Sequence, residues 1–334
     1  MSGDELADKL AAAWRRHRGE PARISGLKRL SAGAASASYA FSAVTERAEQ
    51  PAVLQLAGAG DAQGFAGALD KTAQARVQQR AQAGGVPTPE VLLVLAEDDG
   101  LGAGFVSARV DGETLGGRIA HSRKFAQARE RLGKQVAEAL ARIHALPPED
   151  FAELPVLGAA EQLDELARLH RAFDEALPVF EAAIAWLGAR LPEAVPPRLV
   201  HGDFRNGNFL VDPEAGLTGV LDWELAHRGD PAEDIGWLCM RSWRFGADAR
   251  QAGGFASRTG FLDAYRAAGG EAMPDARLRF WEAMAALKWG VVCQSFAWQH
   301  LRGDAPGLEP ALIGRRVSEV ELHLLDLMEG RESA

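Results

Sequence analysis

Apolar residues alternate with polar ones, or stand together in short runs, at residues 27–30, 39–44, 52–56, 91–95 and 104–110, and each run predicts a short strand. Between the third and fourth lies 65–82, free of proline and rich in Ala and Gln, which predicts a helix ended by Gly84, Gly85 and Pro87. Beyond Gly112 the period lengthens. Residues 124–146, 161–187, 255–268 and 276–301 read as long amphipathic helices, the second kinked or divided at Pro178. Trp281, Trp289 and Trp298 spread over a broad face of the last, which suits burial better than a ligand box. A strand-like island at 198–223 interrupts the helices, and no internal repeat is evident. The pattern predicts an α+β chain with a small N-terminal sheet domain at 1–110, a boundary near 108–114, and a larger, mainly helical domain at 111–334.

Charge narrows the function classes. Lys and Arg number 37 against 46 Asp and Glu, a formal net charge of -9, so a nucleic-acid-binding surface is not expected. The two cysteines, Cys239 and Cys293, lie in apolar stretches, which argues against a disulfide framework and for a reducing, cytoplasmic setting. The start, Met1-Ser2-Gly3-Asp4-Glu5, lacks the basic and apolar regions of a signal peptide, and Lys288 interrupts the longest apolar run, so no membrane association is expected.

The run Ser31-Ala-Gly33-Ala-Ala-Ser36-Ala-Ser38 joins the first two predicted strands without a charge. It reads either as a flexible hairpin loop or as a backbone N–H cradle for phosphates, since side chains this small let the main chain approach an anion. The densest chemistry lies between Val200 and Trp223. Asn208 opens a short apolar strand, residues 212–216 are rich in turn formers, and 217–221 returns. A turn centred on residue 215 sets Asn208 opposite Asp222 at the open end of the hairpin. An amide oxygen with a carboxylate suits a hard cation that keeps several waters and is shared with phosphates, the preference of Mg²⁺. Asp203 stands five residues before Asn208. This carboxylate can accept a proton from a substrate hydroxyl that comes within hydrogen-bond reach. A metal-dependent hydrolase built on His201, Asp203 and Asp222 is a further reading.

The string His201-Gly202-Asp203-x-x-x-x-Asn208, then Asp222, then Gly229-Asp230-Pro231-Ala232-Glu233-Asp234, resembles the aminoglycoside phosphotransferase (APH) and related small-molecule kinase family. The longer run D-W-E-L-A-H-R-G-D-P-A-E-D-I-G-W-L-C with R-S-W-R-F-G is most similar to the phosphotransferase domains found with acyl-CoA dehydrogenases. The resemblance implies a two-lobed protein-kinase-like fold with an antiparallel N-lobe sheet. It also implies an ATP- and Mg²⁺-dependent transfer of the γ-phosphate to a hydroxyl of a small molecule. By resemblance Asp203 is the catalytic base, Asn208 and Asp222 hold Mg²⁺, and Arg205 stands where a phosphate-contacting Lys is expected. His201 orders the loop, and Asp234 braces it from below. Ser31, Gly33 and Ser36 would line the phosphates, and the segment holding Ser107 and Val110 would offer backbone groups to adenine. Asp230, Pro231 and Glu233 read as a capped helix start. Glu224 can approach a second ion, His144 ends a helix structurally, and Arg241 and Arg244 can clamp an acceptor anion.

The N-lobe departs from the family. The strand cation position is Gln55, in V-L-Q-L, and the acidic helix position is Gln74, in Q-A-R-V. Two amides can still bond each other, but a positive charge is lost from the phosphates. Arg205, Lys71 or Arg76 then replaces it, the activity is weak, or the chain is a nucleotide-binding pseudokinase. Gly58-x-Gly60-x-x-x-Gly64 follows a strand in the manner of a dinucleotide-binding turn, although Gln63 spoils the sextet. The acceptor stays open. Acids at Glu161, Asp164, Glu165, Asp174, Glu175 and Glu181 would suit a cationic compound such as an aminoglycoside, while the branch resemblance suggests a hydroxyacyl or other non-antibiotic substrate.

Overall fold

A computed structural model describes residues 2–30, 36–58, 68–305 and 307–331. The chain opens with α1 (Gly3–Arg18), β1 (Arg23–Arg29), β2 (Ser36–Val44), β3 (Glu49–Ala57), α2 (Lys71–Ala83), β4 (Val91–Val94) and β5 (Gly104–Ala108). It continues through α3 (Gly116–His121), α4 (Ala126–Ala145), α5 (Ala159–Ala172), α6 (Pro178–Gly188) and β6 (Arg198–Val200). A hairpin follows, β7 (Phe209–Asp212) and β8 (Gly216–Val220), and then β9 (His227–Gly229). The remaining helices are α7 (Ala232–Cys239), α8 (Arg258–Ala267), α9 (Asp275–Arg302), α10 (Leu308–Gly314) and α11 (Val317–Glu329). Two compact units result, Met1–Glu113 with Asn208–Ala226, and Thr114–Gly207 with His227–Ala334. No described helix is long and apolar enough to cross a membrane.

In the first unit the strands pair in the order β1-β2-β3-β5-β4, antiparallel throughout. The antiparallel neighbours of β3 remove the parallel crossover that a dinucleotide-binding turn requires; residues 59–67, which include Gly60 and Gly64, lie outside the described set. Alternation gives the sheet two faces. Ala52, Leu54 and Leu56 of β3 join Phe41, Leu93 and Val106 beneath Leu6, Leu10 and Trp14 of α1. The opposite face sets Phe105 and Val91 against Ala75 of α2. Helix α1 was not among the expected elements. Its buried positions 6, 10, 13 and 14 nevertheless follow helical spacing, Ser2 caps its start by accepting the Glu5 N–H, and Gly19 ends it in the left-handed region. The predicted helix over 65–82 is described from Lys71, with the Asp70 side chain accepting the Ala73 N–H.

Helices dominate the second unit, and Pro178 starts α6, dividing the stretch expected at 161–187. At Gly236 a Cβ would lie 2.5 Å from the Trp281 carbonyl carbon, so glycine permits the close approach of α7 and α9. Strands β6 and β9 pair antiparallel, and β6 leads into the loop at residues 201–207. Helices α10 and α11 had no counterpart in the sequence pattern reading.

Candidate active site

The loop after β6 hangs from one buried carboxylate. Asp234 lies in the first turn of α7 and is fully buried. Its Oδ2 accepts the His201 N–H at 2.8 Å and its Oδ1 the Gly202 N–H at 2.9 Å. His144, at the end of α4, places Nε2 3.1 Å from the same Oδ2 and Nδ1 2.8 Å from the Tyr265 hydroxyl. Burial raises the pKa of that phenol, so it stays neutral as a hydrogen-bonding partner. His201 is buried, and its Nδ1 accepts the Asp203 N–H at 3.3 Å. The loop therefore turns on backbone bonds to fixed side chains.

Asp203 projects from this frame half-buried. Its Oδ1 accepts from Trp237 Nε1 at 2.6 Å and from Arg205 Nε at 2.9 Å. The Arg205 guanidinium lies 4.3 Å from the Trp243 ring centroid, a stacking contact that fixes the fork over Asp203. Gly207 has φ +127°, and a Cβ there would collide with the Arg205 guanidinium. Asn206 is buried and donates to the carbonyls of Gly253, at 2.7 Å, and Gly116. Trp237 and Asn206 were not anticipated. Trp237 stands three residues beyond Asp234 on α7, and that spacing was the available signal.

The first unit carries Asn208 and Asp222. The hairpin registers Phe209 with Val220 and Asp212 with Gly216, with a bulge between. Asn208 therefore pairs with Leu221, whose N–H reaches its carbonyl at 2.8 Å, one residue off the expected partner Asp222. The bulge, together with Asp212 Oδ1 closing the turn on the Glu214 and Ala215 N–H groups, moves the centre from residue 215. Asp222 is exposed and holds φ +68°, the left-handed region that a non-glycine residue rarely adopts. Its turn is anchored by Trp223, which donates to Thr88 Oγ1 at 3.3 Å, and by the Glu224 carbonyl, which accepts the Leu69 N–H at 2.7 Å. Among the described residues no group of three or more His, Cys, Asp or Glu is placed to hold a metal. The donors expected from the sequence, the Asn208 amide oxygen and the Asp222 carboxylate, would form an all-oxygen set. It fits a hard cation that takes its other ligands from phosphate and water.

On the nucleotide side, Ser31 and Gly33 lie outside the described residues, and Ser36 starts β2 opposite Ala57. Ser107 is buried and paired on both sides, with Val53 and Val91, so its main chain is committed to the sheet. Pairing runs on through the Arg109 N–H to Pro51, and the half-buried Val110 follows. Gln55 stands opposite Phe105, on the α2 face, but Gln74 bonds elsewhere. Its Oε1 accepts from Lys71 Nζ at 3.2 Å, and its Nε2 donates to the Leu69 carbonyl at 2.7 Å.

Several expected candidates are consumed by the fold. Arg244 is buried against the Cys239 carbonyl and Glu282, and Arg241 reaches Asp326, so neither clamps an acceptor as placed. Glu233 does not close a capping box. It meets His227 at 3.1 Å, Gln162 at 2.8 Å and Lys288 at 3.7 Å. Burial alone would raise its carboxyl, but these partners outweigh it and hold the pKa at about 2. Asp230 does cap α7, accepting the Ala232 N–H at 2.8 Å, and also binds Arg277 and Trp281. On α5 and α6, Glu165 pairs with Arg168, and Glu181 with Arg171.

A model of the phosphotransferase enzyme family matches residues 26–271. Among curated relatives, mouse acyl-CoA dehydrogenase family member 10 is 40% identical over 81 residues, 24% of this chain and 8% of that protein. The chain thus corresponds to a small part of that much longer protein. A Ralstonia eutropha protein provisionally named an aminoglycoside phosphotransferase superposes with TM-score 0.74 at 20% identity, covering 97% of this chain and 98% of its own. A thermostable aminoglycoside phosphotransferase APH(4)-Ia, solved with ADP and hygromycin B, gives TM-score 0.64 at 17% identity, covering 99% and 100%. At these identities the structural likeness establishes the two-lobed kinase-like fold.

Proposed function

The chain belongs to the phosphotransferase enzyme family, and from that premise we propose that it moves the γ-phosphate of ATP to a hydroxyl of a small molecule with the aid of Mg²⁺. The observation that carries the proposal is the loop fixed by Asp234, which presents Asp203 with one oxygen already held by Trp237 and Arg205. Asp203 takes the hydroxyl proton as the acceptor oxygen bonds to the γ-phosphorus and the bond to the β-phosphate oxygen breaks, releasing ADP. Donation from Trp237 keeps the carboxylate aimed. Arg205, stacked on Trp243, lowers the negative potential at the base. Asn208 and Asp222 would hold Mg²⁺, which when bound neutralises phosphate charge. Val110 would face adenine with its main chain, and Ser36 and Gln55 would border the nucleotide. The ADP in the APH(4)-Ia complex supports nucleotide use.

Acceptor charge is a separate matter. Glu165 and Glu181 are paired with Arg168 and Arg171, so two of the six acids that favour a polycationic acceptor are already compensated and its support is reduced. A panel of neutral, anionic and cationic hydroxyl compounds, read by ADP formation, tests the proposal. Turnover on at least one compound is expected, with Asp203→Ala lowering it by at least about 1,000-fold while ATP affinity stays within about threefold. ADP formation that survives in Asp203→Ala would remove the assigned base.

A further inference from the structure

We propose that Lys71, the first residue of α2, supplies the cation for the nucleotide phosphates that strand position 55 lacks; the inference rests on the phosphotransferase reading above. Lys71 is 3% exposed. Its Nζ meets the Gln74 amide oxygen at 3.2 Å, and no carboxylate lies within ion-pair distance of it among the described residues. The first turn of α2 holds no acid, and Asp70, at the cap, gives its oxygen to the Ala73 N–H. A buried ammonium is thus kept at the positive end of a helix without a counter-ion, an arrangement that opposes folding on both counts. An anionic ligand resolves it.

The surroundings point the charge at phosphate. Gln74 tethers Lys71 with a neutral oxygen, so the ammonium is held in place without being neutralised; a Glu at this position would pair with it. Leu69 ties the start of α2 to the turn behind Asp222 through the Glu224 carbonyl, and all of these residues belong to one compact unit. The helix that carries the cation is therefore fastened to the turn that carries the carboxylate for Mg²⁺. The two other candidates are less suited, since Arg76 is exposed and Arg205 is engaged with Asp203 and Trp243.

The test is a ladder of affinities for ATP, ADP and adenosine in the wild type, Lys71→Met and Lys71→Arg, with melting temperatures beside them. Loss of a charge-assisted contact weakens ATP binding by about 10- to 100-fold in Lys71→Met and ADP binding less. Adenosine binding stays unchanged, and Lys71→Arg recovers most of the loss. The ligand-free Met variant melts at or above the wild-type temperature, because a buried unpaired charge has gone. A purely structural lysine predicts the reverse: a lower melting temperature and one common factor across the ladder. That result, or wild-type ATP affinity in Lys71→Met, overturns the inference. If Lys71→Met does not fold, Gln74→Glu decides, with weakened ATP and unaltered adenosine binding expected and an unaltered ladder refuting. A wild-type protein that binds neither ATP nor ADP ends the phosphotransferase reading itself, whereas a wild type that binds both with no change at Lys71 ends only this assignment.

Discussion

Replacing Asp234 with Asn is the sharpest test of how the loop that carries Asp203 is held. Both carboxylate oxygens accept from backbone N–H groups, His201 on Oδ2 and Gly202 on Oδ1, and His144 shares Oδ2. An amide has one acceptor. In its better orientation the introduced amide keeps the His201 and His144 contacts and turns an NH₂ toward the Gly202 N–H. One buried donor is then stranded, at about 1–3 kcal/mol, and the surviving bonds lose their charge assistance. The total comes to about 3 kcal/mol. For a cooperative unit of about 200 residues this lowers the melting temperature by roughly 6–12 °C. The stranded donor immediately precedes Asp203, so the loop moves where the proposed base is carried, and a displacement of about 1 Å costs on the order of 100-fold in kcat. Thermal melts and steady-state kinetics on the best acceptor of the panel read both effects, with KM for ATP expected near wild type. An Asp234→Asn protein that melts within about 1 °C of wild type and keeps its kcat would refute the bracing role, because no relaxed amide geometry satisfies both N–H groups.

The other expectations concern acid stability and thiols. Glu233 is held at about 2 against an ordinary value of 4.5, so its contribution to stability is complete above the unfolded value and is lost as pH falls toward 2. The shift is worth about 3 kcal/mol; Glu233→Gln is expected to be less stable than wild type at pH 7 and to converge with it between pH 4.5 and 2, and parallel acid-unfolding curves would contradict this. Burial pushes the Cys239 thiol up to about 11 and the Cys293 thiol up to about 12, so neither forms thiolate at pH 8. A chromogenic disulfide reagent should titrate no thiol in the folded protein and both in denaturant. Reaction within minutes in the folded state would show that either site opens.

Legibility in the sequence followed the range of the interaction that decides each feature. The five sheet strands and the division at Pro178 were readable, because alternation and proline act within a few residues. Helix α1 obeys helical spacing too, but it is rich in Arg and Ala, and its buried stripe is recognisable only once the sheet face that covers it is known. The hairpin was foreseen and its register missed by one, since a bulge leaves no mark in composition. Glu233 matched a local capping box, and a tertiary arrangement of His227, Lys288 and Gln162 took its carboxylate instead. The pairing of Gln55 with Gln74 failed for a similar reason. Lys71 sits one turn earlier on the same helix and claims the amide oxygen, a competition that strand-to-helix reasoning passes over.

Burial distinguishes Asp234, Asp203 and Asp222 more surely than their motif positions do. Asp234 is fully buried with both oxygens held by donors, a setting that suits support of the loop rather than contact with a substrate. Asp203, on the loop that Asp234 holds, is half-buried and held by side chains, Trp237 and Arg205, that leave its backbone position to His201. Asp222 is exposed and strained in the left-handed region, a conformation that persists only when the surroundings fix it, here through Trp223 and Glu224. The residues proposed as brace, base and cation ligand thus differ in how far the fold has already satisfied them. Lys71 extends the same logic to the opposite charge. It is the buried cation whose only described partner is a neutral amide, and the logic requires an anion to complete it.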